Sequence, residues 1–365
     1  MTTGRTFFFA GGGSGGHLFP GLAVADELVA RDPGCRALFI GSERGIERTI
    51  LAGTNREQVT LPIAPPGSAR RHPLRFAVGS RSSLKAALRL IDERRPEAVI
   101  GLGGFASVPM GVAAVRRGIP LILLEQNVIP GRATSWLSRW ADRVCVSFEE
   151  TVPLLPRRVK AIVTGNPVRN VMTHGTTHRR VGQKPSLLIL GGSQGAAGVN
   201  AMAIAAATRL SRQLAGWQIV HQTGERDLET TRTAYARAGL DVVAEAFFPE
   251  IAVRYRAASL AISRAGATTL SELACVGCPA LLVPYPGAIR DHQRRNAEFY
   301  AAVGGAAVVP EGSDGPDRLA RLLEQLLNEP GRLRAMSHAM SAVARPDAAA
   351  AVASLLIRRS AAQAA

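Results

Sequence analysis

The sequence predicts an α/β protein of two Rossmann-like domains, each built on a parallel sheet. Two observations carry this. Thr6-Phe7-Phe8-Phe9-Ala10 and Leu187-Leu188-Ile189-Leu190 are continuous apolar runs, and each is followed by a glycine loop and a helix-like segment. Setting Ser14 on Ser193 superimposes the two units 179 positions apart. Short apolar runs then recur through both halves with helical segments between them, the rhythm of βαβ units. A chain of 365 residues also exceeds what one hydrophobic core usually fills.

Taken in order, the first half opens with the strand at Thr6–Ala10, the loop Gly11 to Gly16 and a helix over about Pro20–Ala30. Ala37–Ile40, Ala98–Ile100, Pro120–Leu124 and Arg143–Val146 read as further buried strands. The second half repeats the pattern with Leu187–Leu190, the loop Gly191 to Gly195 and an Ala-rich helix over about Val199–Leu210. Its later strands are Trp217–Val220, Val242–Val243, Leu260–Ile262 and Ala280–Pro284. Gly165-Asn166-Pro167 begins the connection, and Thr173 to Lys184 is polar and strandless. The expected boundaries are 1–167 for the first domain, 168–183 for the linker, 184–346 for the second domain and 347–365 for a terminal helix.

Forty-four Lys and Arg against twenty-eight Asp and Glu leave a net charge of +16, which suits nucleic acid, an acidic membrane or phosphorylated substrates. Only 5% of residues are aromatic, which disfavours a stacking platform for single-stranded nucleic acid. Phe7 to Ala10 is broken at once by glycines, so no secretory signal is expected. The uncharged run Ala98 to Val115 contains Gly101, Gly103, Gly104 and Pro109, and reads as a strand, a turn and a helix rather than a membrane span. The expectation is a cytoplasmic protein with peripheral membrane contact. Cys275-Val276-Gly277-Cys278 has metal-like spacing but lacks a second pair, so the four cysteines read as free thiols in a reducing compartment.

Glycine loops between a strand and a helix bind phosphate, because the backbone approaches closely and the helix's first amides favour an anion. Three occur here: Gly12 to Gly16, Gly103-Gly104-Phe105-Ala106-Ser107, and Gly191 to Gly195. One such loop alone reads equally well as a structural turn. Gly11 to Gly16 formally contains the dinucleotide fingerprint, but the acidic residue after the next strand would be Glu43, later than the usual spacing.

Seven motifs then make the pattern specific. They are Gly12-Gly13-Ser14-Gly15-Gly16-His17 with Pro20; Gly103-Gly104-Phe105 with Pro109; Glu125-Gln126-Asn127; Gly165-Asn166-Pro167-Val168-Arg169; Gly191-Gly192-Ser193-Gln194-Gly195; Arg264 to Glu272; and Asp291-His292-Gln293 with Asn296-Ala297. In this order and at these spacings the chain resembles the MurG family, the peptidoglycan N-acetylglucosaminyltransferases of glycosyltransferase family 28. The resemblance spans nearly the whole chain.

That resemblance implies a GT-B fold, two Rossmann-like domains with parallel sheets facing across a cleft, the last helix returning to the first domain. It implies UDP-N-acetylglucosamine as donor, mainly on the second domain. The implied acceptor is lipid I, undecaprenyl-pyrophosphoryl-N-acetylmuramoyl-pentapeptide, on the first. The donor positions carried over by motif are Ser14, Gly15, Gly16, Asn127, Arg169, Ser193, Phe248, Ala267, Thr268, Thr269, Leu270, Ser271, Glu272 and Gln293. Gly104 and Glu125 are candidates on the acceptor side.

Residue chemistry is consistent with these roles. Glu272 can accept from both ribose hydroxyls, Ser193 and Thr269 can donate to a diphosphate, and Arg169 supplies fixed charge. At Phe248, within Phe247-Phe248-Pro249-Glu250, the backbone amide would read the uracil edge. Gln293 and Asn127 suit sugar hydroxyls or the N-acetyl group. Plainer readings stay open: Arg169 as a linker cap, Glu272 as a solvated helix residue, His292 as a surface partner of Asp291. His17 reads either as a hydrogen-bonded helix-start residue or as the general base on the acceptor hydroxyl, since imidazole titrates near working pH.

No Asp-x-Asp occurs in the chain, so chemistry without a metal or other cofactor is expected. Two departures from the family pattern stand out. Ser14 replaces the usual Thr and keeps the hydroxyl, whereas Leu124 replaces the usual His before Glu125-Gln126-Asn127.

Residues 66–95 carry Arg70, Arg71, Arg75, Arg81, Lys85, Arg89, Arg94 and Arg95 against Asp92 and Glu93, a net +6. Leu74, Phe76, Val78, Leu84 and Leu88 are interleaved, a mixture that suits anionic headgroups, with Arg71, Arg75 and Arg81 as main candidates. Arg132 to Arg143, with Trp136 and Trp140 on one helical face, is a second membrane candidate. The expected partners are therefore the UDP-sugar, lipid I and a membrane surface, with cell-wall synthesis proteins open and nucleic acid excluded. Competing readings are another UDP-sugar enzyme such as a glycolipid glycosyltransferase or epimerase, a non-catalytic UDP-sugar-binding scaffold, and an NAD(P) oxidoreductase.

Overall fold

The structure, a computed structural model, describes residues 4–12, 15–42, 45–63, 73–173, 184–191 and 195–364. The chain divides into two compact units, Met1–Arg169 with Pro346–Ala365, and Asn170–Arg345.

The first unit holds seven strands: β1 Thr6–Gly11, β2 Arg36–Gly41, β3 Glu57–Thr60, β4 Ala98–Gly103, β5 Leu121–Glu125, β6 Arg143–Val146 and β7 Ala161–Val163. They pair in parallel in the order β3-β2-β1-β4-β5-β6-β7, with Phe7 of β1 opposite Ala37 of β2 and Ala98 of β4. The run of three phenylalanines follows from this central place. Phe7 and Phe9 face one core with Leu22, Leu28, Ile100 and Leu102, and Phe8 and Ala10 face the other with Leu90, Val99 and Met110. A strand buried on both faces has no polar alternation to show.

The helix Gly15–Arg31 starts five residues before the expected Pro20. Pro20 removes one backbone donor, but the buried stripe Leu18, Leu22, Ala25, Leu28 begins before it and fixes the helix on the sheet. The final helix Ala348–Ala364 packs on this one: Val352, Ala353 and Leu356 join the core of Phe7 and Leu28. Arg31 also donates to Ser354 Oγ at 2.7 Å.

The second unit holds β8 Ser186–Leu190, β9 Gln218–Gln222, β10 Val242–Glu245, β11 Leu260–Ser263, β12 Ala280–Leu282 and β13 Ala306–Val308. These pair in parallel in the order β10-β9-β8-β11-β12-β13. Helices Ala197–Arg209 and Gly315–Asn328 cover one face through Val199, Met202, Ala203, Leu319 and Leu323.

β3, β7 and β13 are sheet edges that the sequence pattern missed. Glu57-Gln58-Val59-Thr60 has little apolar content, and β7 and β13 have three residues each. Such strands exist through main-chain pairing to a neighbour, which composition does not record.

Two membrane-related expectations change. Leu84 and Leu88, read as dipping into headgroups, pack instead against the core of Leu90 and Ile91. The segment expected to be helical from Arg132 to Arg143 is a helix only over Arg132–Leu137. Trp136 and Trp140 nonetheless meet edge to face at 4.9 Å, and are 42% and 49% exposed. Arg81 is exposed, whereas Arg71 and the side chain of Arg75 lie outside the described residues. No described helix is long and apolar enough to cross a membrane.

Candidate active site

In a parallel sheet every strand delivers its following loop to the same edge, which is where α/β proteins bind ligands. β1, β4 and β5 are adjacent and end at Gly11, Gly103 and Glu125. Three motifs spread over more than a hundred residues of sequence therefore become neighbours.

His17 sits at their centre, in the first turn of its helix. Its Nδ1 lies 3.2 Å from the Gly12 carbonyl, which can only accept, so Nδ1 donates and in the neutral ring the lone pair falls on Nε2. Gly103 and Gly104 make room for the ring. Both have positive φ, +96° and +72°. A side chain at Gly103 would stand 3.3 Å from His17 Nε2, and one at Gly104 would stand 2.6 Å from the Gly12 oxygen. The second glycine pair, read from sequence as a phosphate loop, is thus required sterically to seat the imidazole.

Glu47 was missed by the sequence reading. It is fully buried, and its carboxylate accepts from Ser42 N at 2.7 Å and Ser42 Oγ at 2.8 Å. Side chains at Gly12 or Gly41 would collide with that carboxylate. The sequence signal for it is the Ser42 to Glu47 spacing after the second strand.

Glu125 is also buried, and holds its own loop. Oε1 accepts from Asn127 N at 3.1 Å and Nδ2 at 3.2 Å, and Oε2 accepts from Gly131 N at 2.9 Å. Its carboxylate thereby orients Asn127. Gln126 donates from Nε2 to the Leu102 carbonyl at 3.2 Å and ties β5 to β4. Leu124 belongs to the core with Phe9 and Ile100.

Arg169 stacks on Phe19, its guanidinium carbon 4.8 Å from the ring centroid. The same ring lies where a Gly15 side chain would be, 2.9 Å away. Phe19 therefore bridges the helix start at Gly15 and Gly16 to a fixed positive charge, a supporting role the sequence did not indicate. Ser14 lies outside the described residues.

In the second unit, β8, β11 and β12 are adjacent and their following segments carry the predicted donor residues. Ser193 lies outside the described residues, but the loop's two ends are fixed. Gly191 N donates to the Gln222 carbonyl at 2.8 Å, and Gly195 has φ +76° with the Thr223 carbonyl 3.0 Å from where a side chain would stand. Beneath them runs a buried network. Asn200 Nδ2 donates to Thr223 O and to Asp227 Oδ2, both at 2.9 Å, leaving Oδ1 to accept from His221 Nε2 at 3.1 Å. His221 Nδ1 then accepts from the Tyr235 hydroxyl at 2.9 Å. Burial pushes the His221 pKa down to about 3, so the ring stays neutral in one tautomer.

The helix Ala267–Cys275 follows an extended Gly266 that supplies no side-chain cap, and the dipole of a helix start favours an anion. Ala267, Thr268 and Leu270 are buried, and Thr269 is half-buried. Ser271 turns its hydroxyl back to the Ala267 carbonyl at 2.9 Å. Glu272 is only 4% exposed, which rules out a solvated helix residue. Gln293 Oε1 accepts from Tyr285 N at 3.0 Å, which fixes the carboxamide. Arg290 and Asp291 just before it both have φ of 56°, a left-handed strain worth about 1 kcal/mol or more each at non-glycine residues. Asp291 pairs with Arg294, and His292 faces the Ile289 carbonyl at 2.8 Å, so the two are not partners.

Phe248 brings a correction. Its amide, expected to read uracil, donates to Gln222 Oε1 at 3.2 Å. The amide is thus engaged by a side chain of the neighbouring strand β9.

Both units are parallel sheets that carry glycine-bearing segments at their strand ends. Residues 7–146 match the glycosyltransferase family 28 N-terminal domain and residues 186–352 the family 28 C-terminal domain. The chain is 39% identical to a UDP-N-acetylglucosamine–N-acetylmuramyl-(pentapeptide) pyrophosphoryl-undecaprenol N-acetylglucosamine transferase of Geobacter sulfurreducens, over 94% of this chain and 95% of that one. A Pelobacter propionicus protein of the same name is 37% identical over 93% and 96%. The crystal structure of Acinetobacter baumannii MurG superposes with a TM-score of 0.77 at 31% identity, over 97% of this chain and 99% of that one. The chain belongs to glycosyltransferase family 28 and, within it, to the MurG family.

Proposed function

We propose that the protein transfers N-acetylglucosamine from UDP-N-acetylglucosamine to the muramoyl 4-hydroxyl of lipid I, giving lipid II. The observation that carries this is the match, over more than nine-tenths of both chains, to transferases whose names specify that donor and acceptor. His17 supports it by supplying a base. The acceptor oxygen attacks the anomeric carbon opposite UDP, the bond from that carbon to the diphosphate oxygen breaks, and the hydroxyl proton passes to His17 Nε2. Configuration inverts, from the α-linked donor to a β-linked product. Loop amides, the Ala267 helix start and Arg169 stabilise the departing diphosphate. The direct test is transfer of labelled sugar to lipid I, with lipid II as product; no product with this pair of substrates would overturn the reading.

The same assay tests the leaving-group account. Activity is expected to persist in EDTA when the acceptor is a water-soluble lipid I analogue, because the sequence has no Asp-x-Asp pair. Loss on chelation and rescue by magnesium would assign the diphosphate to a metal ion.

The protein works on the cytoplasmic membrane face, held peripherally by the basic stretch and by the exposed Trp136–Trp140 pair. Indole rings favour the headgroup boundary, and each basic residue near an anionic surface contributes about 1 kcal/mol. Changing Arg71, Arg75 and Arg81 together to Glu is expected to lower partition onto phosphatidylglycerol vesicles by on the order of 100-fold. Transfer to the soluble analogue is expected to stay near normal. Undiminished sedimentation of that variant, with release on changing Trp136 and Trp140 to Ala, would place the membrane face on the aromatic pair alone.

A further inference from the structure

The donor rim of the second unit is held together by one ion pair that none of the predicted site residues belongs to. Arg264 follows β11, and its Nη1 donates to the carbonyls of Val283 at 3.1 Å and Pro284 at 3.4 Å, in the segment after β12. The same nitrogen donates to the Glu311 carboxylate, in the loop after β13. The guanidinium carbon stands 5.4 Å from the Tyr285 ring centroid, and Tyr285 N is the donor that fixes Gln293. On the other side, Glu311 lies against Gly198, in the first turn of the helix after β8, where any side chain would collide with its carboxylate. One salt bridge therefore touches the segments after β8, β11, β12 and β13, which are consecutive in the sheet.

Both members are partly withdrawn from water, with side-chain exposures of 17% for Arg264 and 29% for Glu311. Screening is weaker there than at the surface. The carboxylate also sits where the first amides of an uncapped helix favour negative charge. Geometry this connected is more than a surface ion pair needs.

We infer that Glu311, acting through Arg264, is a positioning residue for the donor. Their contact sets the spacing between the helix after β8 and the segment after β12 whose Tyr285 fixes Gln293, and so the fit of a nucleoside diphosphate sugar. This rests on the donor assignment proposed above. Gly198 is part of the device, because only glycine lets the carboxylate reach both the helix start and the arginine.

Four variants test it, one of them Arg264→Gln alone as the second arm of the cycle. Glu311→Gln keeps the shape and removes the charge, and is expected to raise the Kd for UDP and the KM for the UDP-sugar about tenfold. Arg264→Gln combined with Glu311→Gln is expected to be no worse than the poorer single variant, since both act through one contact. Gly198→Ala leaves all charges in place and improves helix propensity. Its methyl group pushes the Glu311 carboxylate aside, so a purely structural role predicts a lowered melting temperature with unchanged UDP binding by the folded protein, whereas positioning predicts weaker UDP binding by the folded protein. UDP affinity is measured by calorimetry on folded protein, with wild type and Glu272→Ala alongside. Unchanged UDP affinity in Glu311→Gln and Gly198→Ala, with Glu272→Ala impaired, would overturn the inference and leave the donor site standing. Failure of wild type to bind UDP would overturn the donor assignment instead.

Discussion

Replacing His17 with Ala is expected to lower turnover by about 10²–10⁴, the range for loss of a general base, while UDP affinity changes little. The split follows from where the ring is held. Gly12, Gly103 and Gly104 seat it at the strand ends of the first unit, whereas Glu272 and Gln293 belong to the second. The Gly12 carbonyl fixes the proton on Nδ1, and a base must offer its other nitrogen. The pH profile supplies the readout that a structural role would not move. A base works only when neutral, so the rate falls as pH drops through its pKa. That acidic limb is expected to disappear in His17→Ala. If it persists unchanged, another group takes the proton and His17 orients the acceptor. A lowered melting temperature with normal turnover per folded molecule would make the ring structural only.

Replacing Glu272 with Ala is expected to weaken UDP binding by about 1.5–3 kcal/mol, the value of hydrogen bonds to a charged group. The carboxylate lies one turn beyond Thr268 in the helix that opens at Gly266, and burial keeps it from bulk water. Competition from solvent is thereby reduced, and hydroxyl donors from a ribose gain more than they would at an exposed carboxylate. Calorimetry with UDP alone isolates this contact from the sugar and the acceptor. An unchanged dissociation constant in folded Glu272→Ala would remove the residue from the site.

Both predictions rest on residues that were legible in the sequence, because each lies within a short motif whose local geometry is stereotyped. A glycine loop after an apolar strand can do little except turn and open a helix. The same locality explains what was misjudged. Phe248 was assigned a ready amide, but Gln222, on a neighbouring strand, already accepts from it. Leu84 and Leu88 looked surface-directed among arginines, yet the sheet needed their face. What the sequence could not show at Gly103 and Gly104 is that their missing side chains accommodate His17 and the Gly12 carbonyl.

By itself the sequence determined the two parallel sheets, because β1 and β8 are apolar on both faces and only a doubly covered strand tolerates that. It also determined the order of the glycine loops and the motifs that flank them. Tertiary structure alone decided what holds those loops: Glu47 beneath Gly12, Asn200 and His221 beneath Gly191, and Glu311 on Arg264. The reason is topological. In each sheet the first strand of the unit sits at the centre, so β1 pairs with β4 and β8 with β11. The groups that support a loop then arrive from strands and helices far along the chain, as with Arg264 and Glu311, 47 residues apart. Motif spacing records only contacts within reach of a turn or two. Support of that kind is invisible until the strands are laid side by side.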